Sequence, residues 1–590
     1  MKALAASLLP VIAGAAALGF VPAVLAHGDE HGHGAGMDGM SMTEADKPVP
    51  EDQYPPTYFA LPNHKAAIYG HIGLMVLAWV FVLPSAVMLS LARSRYTLLV
   101  QFGFLAVNAG GMLLGVIYNA STPDLYPNNA HHKLGWIVTC VVSAQVVIGL
   151  LARVAGMFKR QRSSSRAEER QGFIPVSTEA MAEHESRFPE PYGRFSIDSG
   201  QGTEPRTESL RSPSLSSGGD SPLTRHKEYN VDVTGADDDS DAHLPMFSNT
   251  TKAHSIVAKI TDKISDRFWK VLLFAYEFVD RTILILGFIA LCTGIIAYGR
   301  FFEGQGIFSG LAHWIKGGVF FWLGIFTLGR WAGSFGELGW AWNIRPRKLG
   351  QKRAPSAEFV ESFLIFFYGS TNIFLEHLGG WGGEWSSQDL EHISITVLFI
   401  GGGLCGMLVE STRIRDLLNY TVTDAALSTS EHGAYKDEEA RDELHEPETY
   451  SFSINPIPAL VILLLGIMMS SHTQQSMISS MVHKQWGNLL TGASFARGMT
   501  YLLTWLRPPK SVYPSRPPTE LLAAFGLISG GIIFMASASD TVDGMIHYEL
   551  DAMFMYTVTM GLVGLLMAWV ILLVALKGWA TRREARARSH

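Results

Sequence analysis

YGHIGLMVLAWVFVLPSAVMLSLA, residues 69–92, carries no acidic or basic side chain except the titratable His71, between Lys65 and Arg93. A helix rises about 1.5 Å per residue, so this run can cross the roughly 30 Å hydrocarbon layer of a bilayer. Backbone groups in hydrocarbon must be satisfied within the segment, which makes the run a helix. Further runs of this character lie near 97–118, 133–156, 270–298, 311–333, 357–378, 391–410, 456–475, 484–506, 518–538 and 551–577. The expected fold is all-α and polytopic, with about eleven transmembrane helices after a cleaved signal peptide.

Composition agrees. Of 590 residues, 48% are apolar and only 17% charged, and the charges are gathered into blocks between apolar runs. The net charge of −7 offers no basic footprint for nucleic acid. The lipid bilayer is the expected partner, metal ions are a second, and protein partners stay open. Cys140, Cys292 and Cys405 all lie inside apolar runs and read as small buried hydrophobes, not a disulfide framework or thiolate metal site. No P-loop or dinucleotide-binding fingerprint occurs.

Residues 1–26 read as a secretory signal peptide, with an Ala-rich apolar core and a small-residue cleavage pattern ending at Ala26. Residues 27–66 then form an extracytoplasmic tail whose HGDEHGHGAGMDGMSM segment (27–42) offers imidazole and thioether to soft metals such as copper. A three-helix membrane domain (67–156), a Ser/Arg/Asp-rich cytoplasmic loop expected to be disordered (157–267), an eight-helix membrane domain (268–578) and a basic tail (579–590) follow. Arg93 and Arg95, Arg153 to Arg162, Arg345 to Lys348, Arg413 and Arg415, Lys510 and Arg516, and Arg582 and Arg583 fall on one side. The positive-inside rule makes that side cytoplasmic, with the mature N-terminus outside and the C-terminus inside, in a membrane of the secretory pathway.

The first run opens on His71 and continues through Met75, Trp79 and Pro84; the third opens His131-His132-Lys133-Leu134-Gly135, with Gln145 beyond. Both sites sit at outer ends of spans, where two imidazoles facing across a bundle can ligate haem iron. Here the sequence resembles cytochrome b561-type transmembrane domains. The resemblance implies one b-type haem with His71 and His131 as axial ligands, His132 being the alternative to His131. Phe104 stands where that family carries a further histidine, and the 270–298 run has none, so the expectation is at most one haem.

The runs GWAWN (339–343), EHLGGW (376–381), QDLEHISI (388–395), NPIPAL (455–460), MSSHTQQ (469–475) and SRPPTELLAAFGL (515–527) resemble the fungal Ytp family. That family joins a short b561-like N-terminal domain to a larger C-terminal membrane domain. Read from residues alone, the second domain gathers Glu376, His377, Asp389, His392, His472 and His483 toward its outer face. Asp389 and His392 share a helical face, and the set could hold a zinc or copper ion. Glu277, Asp280 and Arg281 read as an internal ion pair, and the Gly401–Gly406 and Gly526–Gly531 groups as helix contacts. Three functions stay open: a redox protein with one b-type haem at its outer face, handling iron or copper reduction; a metal-ion transporter or metal-handling protein; and a metal-dependent membrane hydrolase.

Overall fold

A computed structural model describes residues 54–171, 266–304, 307–346, 355–372, 385, 387–432, 446–471, 474 and 476–589. The expected signal peptide, most of the expected extracytoplasmic tail and residues 172–265 lie outside these. The described chain is helical, without strands. The helices are α1 (Lys65–Leu91), α2 (Thr97–Ser121), α3 (Ala130–Gln171), α4 (Asp266–Gly299), α5 (Ile307–Ala332), α6 (Ala357–Asn372) and α7 (Ser387–Glu410). They continue with α8 (Thr412–His432), α9 (Ile457–Ser471), α10 (Met477–Leu506), α11 (Pro518–Ala536), α12 (Ser539–His547) and α13 (Ala552–Arg588). Two compact units result: residues 1–146 with 279–590, and residues 147–278. In the second, the described residues are helical parts of α3 and α4.

Among the described residues, eight helices are long and apolar enough to cross a membrane: α1 to α5, α7, α11 and α13. Eleven were expected. The other three runs are also helical, but α6 and α9 have 16 and 15 described residues, and their expected ends run into residues outside the description. The 30-residue α10 is long enough but interrupts its apolar surface with His483, Lys484 and Arg497. The expected loop from residue 157 is helical as far as Gln171, because its Arg, Gln, Ala and Glu residues are good helix formers. Residues 412–432, expected as cytoplasmic loop, are helix α8.

The first unit is apolar outside and partly polar within, the arrangement hydrocarbon favours. Leu99, Leu113 and Ile137 are exposed, whereas Gln101, Asn108 and Gln145 are buried. In α1 the residues Leu77–Val82 open into a π-helical turn ahead of Pro84, which cannot donate a backbone hydrogen bond. The Trp569 indole on α13 donates to the Val80 carbonyl of that turn at 2.9 Å. Beside it, Ala78, Leu83, Val87, Phe104, Val142, Val146 and Ile283 form one core. A second core, around Trp486, Leu490, Leu527, Ile533 and Phe534, holds α10 to α11. Small residues set the closest approach: a Cβ on Gly317 of α5 would lie 2.5 Å from the Gly531 carbonyl of α11.

Candidate functional site

Among the described residues, several clusters of polar side chains lie inside the first unit, and two of them are buried between helices. In one, His71 of α1 and His131 of α3 face each other with ring centres 6.2 Å apart and planes at 80°. A carbonyl can only accept, so His71 Nδ1 donates to the Gly111 carbonyl at 2.8 Å, and His131 Nδ1 donates to the Ala290 carbonyl at 3.2 Å. Both rings are thereby held as the tautomer whose Nε2 carries the lone pair. Two glycines make room. A Cβ on Gly115 would lie 2.7 Å from His71 Nδ1, and one on Gly294 would lie 3.1 Å from His131 Cε1.

The other residues that sequence singled out on α1 support this pair. Met75 packs against Gly111, and the Trp79 indole donates to Asn108 at 2.9 Å while lying against Gly287. Phe104 is fully buried with its ring against Trp79 at 5.2 Å. Gln145 donates to the buried Asp280 at 3.2 Å.

The second cluster is charged. Arg330 of α5, Glu358 and Glu361 of α6, Arg497 of α10 and Glu520 of α11 are each at most 6% exposed. Arg330 forms ion pairs with Glu358 at 2.9 Å and Glu361 at 3.0 Å. Arg497 pairs with the other oxygen of Glu361 at 3.3 Å and with Glu520 at 2.8 Å. Arg330 also donates to the Trp340 carbonyl at 2.7 Å, and Arg497 to Thr327 Oγ1 at 3.0 Å. Trp342 covers both cations, its ring 4.3 Å from Arg330 and 5.8 Å from Arg497.

The loop bearing Trp342 is built by its own residues. Gly339 takes a φ of 81°, which favours glycine, and Trp342 a φ of 50°. Asn343 locks the turn, donating to the Gly336 and Val512 carbonyls at 2.8 Å each and accepting from the Ala341 N–H. Ser515 donates to the Trp342 carbonyl at 2.7 Å. Alongside, the two oxygens of Glu410 on α7 accept from Ser356 and Ser453 at 2.6 Å each.

At the opposite end of α5 and α10, His313 and His483 have ring centres 6.0 Å apart with planes at 87°. His483 Nδ1 donates to the Ser479 carbonyl at 2.8 Å. Nearby α12 presents Asp540, Asp543 and His547 to the N-terminal segment. Tyr54 stacks on His547 at 3.8 Å. Burial, then Tyr548, Asp543 and Asp540, push the Tyr54 phenol up to about 12. Burial and the neighbouring Asp540 raise Asp543 above the ordinary carboxylate range.

Residues 286–578 match the family model described as protein YTP1-like, C-terminal, and residues 52–155 match a domain of unknown function, DUF2427. The uncharacterized membrane protein C3B8.06 of Schizosaccharomyces pombe is 33% identical over 93% of this chain and 100% of its own length. The chain belongs to the YTP1-like family of fungal membrane proteins. The uncharacterized membrane protein YCR061W of Saccharomyces cerevisiae is also 33% identical, over 94% of this chain and 89% of that protein. Protein YTP1 of the same yeast is 24% identical over 31% of this chain. No solved structure matches.

Of the residues chosen from sequence in this YTP1-like chain, His71 and His131 come together, whereas His132 points out to the surface, one position round the helix. Glu376, His377 and His472 lie outside the described residues. Asp389 and His392 lie half-buried on the first turns of α7, and His483 pairs with His313. Among the described residues no group of three or more His, Cys, Asp or Glu is disposed to hold a metal ion. The Arg–Glu cluster escaped sequence reading, although its signal was present: Arg330 and Arg497 stand inside apolar runs, where a charge is costly unless paired.

Proposed function

We propose that this YTP1-like protein is a membrane redox protein holding one b-type haem between His71 and His131. The observation that carries the reading is the separation of the two rings. The two imidazole ring centres stand 6.2 Å apart on different helices, and both Nδ1 atoms already donate to backbone carbonyls, which leaves each Nε2 lone pair as the donor that would hold the iron. Bound haem would supply reversible one-electron chemistry. The protein's part is to fix both imidazoles and to limit the complement to one, since Phe104 stands where the b561 resemblance would put a further histidine and the 270–298 run has none.

Protein purified from haem-supplied cells should show a reducible b-type spectrum with one haem per chain. His71→Ala and His131→Ala should each abolish it, and His132→Ala should leave it. A missing Soret band in the haem-supplied wild type would overturn the reading.

A second reading, ion handling at the outer ends of the C-terminal helices, is favoured by the His313–His483 pair. It keeps Glu376, His377, Asp389, His392, His472 and His483 as the zinc or copper site. Its check is metal content, which His392→Ala and His483→Ala should both lower. The accompanying topology has eleven spans, a cleaved signal peptide, an extracytoplasmic N-terminus and a cytoplasmic C-terminus. Cysteine labelling from either side of sealed vesicles tests it; an external C-terminus would reverse every side assignment.

A further inference from the structure

Counting charge in the buried cluster shows an imbalance. Arg330 and Arg497 face three carboxylates, Glu358, Glu361 and Glu520, among the described residues. Glu358 pairs with Arg330 alone and Glu520 with Arg497 alone, which makes two neutral pairs. Glu361 is the odd group, reaching both cations. A lone negative charge in so dry a setting is costly, and the least costly relief is to bind a proton.

Two small cavities flank the same carboxyl cluster. The deeper, of about 20 Å³, is lined by Glu361, Arg497 and Ser494 together with apolar residues such as Leu323, Ile462 and Leu527. The Ser494 hydroxyl is buried and has no hydrogen-bond partner. The other, of about 30 Å³, lies on the loop side against Arg330, Glu358, Trp342, Asn343 and Ser453. Each exceeds the roughly 10–15 Å³ that one water requires, and each offers the two or more polar partners that hold it.

We propose that the Arg330–Glu358–Glu361–Arg497–Glu520 cluster is an exchangeable proton site, with Glu361 the carrier between the two water-sized cavities. A proton arriving at the loop-side cavity passes by way of Glu358 to Glu361, whose O–H forms as one carboxylate charge is lost. Release to the inner cavity restores that charge. Among the described residues, the other titratable groups facing the site are Tyr501, one turn beyond Arg497, and Glu410 of α7, beside Ser453. Glu410 is already held by two hydroxyls, so it tunes the field and is not the carrier. A proton site at the junction of α5, α6, α10 and α11 lets proton binding govern how these helices pack, as proton-linked transport requires. It does not depend on the haem.

The test is infrared difference spectroscopy of the full-length protein in lipid nanodiscs, titrated between about pH 5 and pH 9, the range open to a buried glutamate. One carboxylic acid band per chain should rise and fall with pH. Glu361→Gln should remove it, because the amide leaves two neutral ion pairs, whereas Glu410→Gln should keep it. Thermal stability supplies an independent readout. A folded state carrying one extra proton loses up to tenfold in its folding equilibrium per pH unit across the titration, and Glu361→Gln should flatten that slope. Absence of any titrating carboxyl band, or a band that survives in Glu361→Gln, would overturn the proposal. So would a band lost on adding sodium at fixed pH, the mark of a metal-cation site.

Discussion

The histidine pair of α1 and α3 and the ion cluster of α5, α6, α10 and α11 solve the same problem in opposite ways. Each places polar chemistry inside apolar helices. The imidazoles are neutral, and each meets its needs from a backbone carbonyl at hand, Gly111 for His71 and Ala290 for His131. The guanidinium groups carry full charge, and a carbonyl alone does not offset that; carboxylates on other helices do. The charged groups occur as a set of five, each answering a neighbour on another helix. Neutral groups can therefore be added or lost one at a time, while the charged ones stand or fall together.

The sharpest way to break this contrast is to remove one charged partner. Arg497→Ala leaves Glu361 and Glu520 buried with less compensation and should cost about 3–5 kcal/mol. It should appear as loss of a monodisperse peak in detergent chromatography. His71→Ala should leave that peak unchanged, and equal damage from the two variants would dissolve the distinction.

A smaller effect is expected at the cover of the cluster. Trp342→Leu keeps an apolar side chain but removes the aromatic face over Arg330, a loss of about 2 kcal/mol for a desolvated cation. The measurement is the melting temperature in nanodiscs, and an unchanged value would mean that the ring acts only as packing.

On the histidine side, Gly115→Ala sets two effects against each other. Alanine gains about 1 kcal/mol of helix propensity, but its Cβ would stand 2.7 Å from His71 Nδ1. Displacing the ring costs about 1–3 kcal/mol, so the variant should be less stable by about 1 kcal/mol. Gly135→Ala, where a Cβ meets nothing within 4 Å, should show the gain alone. Equal melting temperatures for the two would refute the crowding around His71.

The smallest effect should come from α12, where Asp543 is only partly screened from water. Its raised pKa makes a stability contribution that is fully present below its unfolded-state value. That contribution is lost as pH climbs from about 4 through the raised value. Asp543→Asn should flatten the melting-temperature profile in that window, and an unaltered profile would show that Asp540 and burial leave the carboxyl undisturbed.

Much of this was legible residue by residue. The apolar runs marked the helices because a bilayer demands a continuous apolar stretch. His71 and His131 were legible because each opens such a run at the same end. Legibility failed where a run was judged by its average. The 311–333 and 484–506 segments are apolar enough overall to hide Arg330 and Arg497, and the acids that answer them lie on two other helices. The tryptophans of 339–343 and the glutamate at 520 fell inside stretches noticed only for their family likeness. Their shared role, as cover and as partner of the cations, has no trace in spacing.

By itself the sequence determined which segments are helical and apolar, because that depends on each segment's own transfer from water. Only the tertiary structure decided that His71 meets His131, that His483 meets His313, and that two arginines enclose three glutamates. These meetings depend on how the helices cross, which is set by small residues such as Gly317 and Gly531 admitting one backbone against another. A side chain's hydropathy records the cost of burial, and the partner that offsets the cost belongs to another helix.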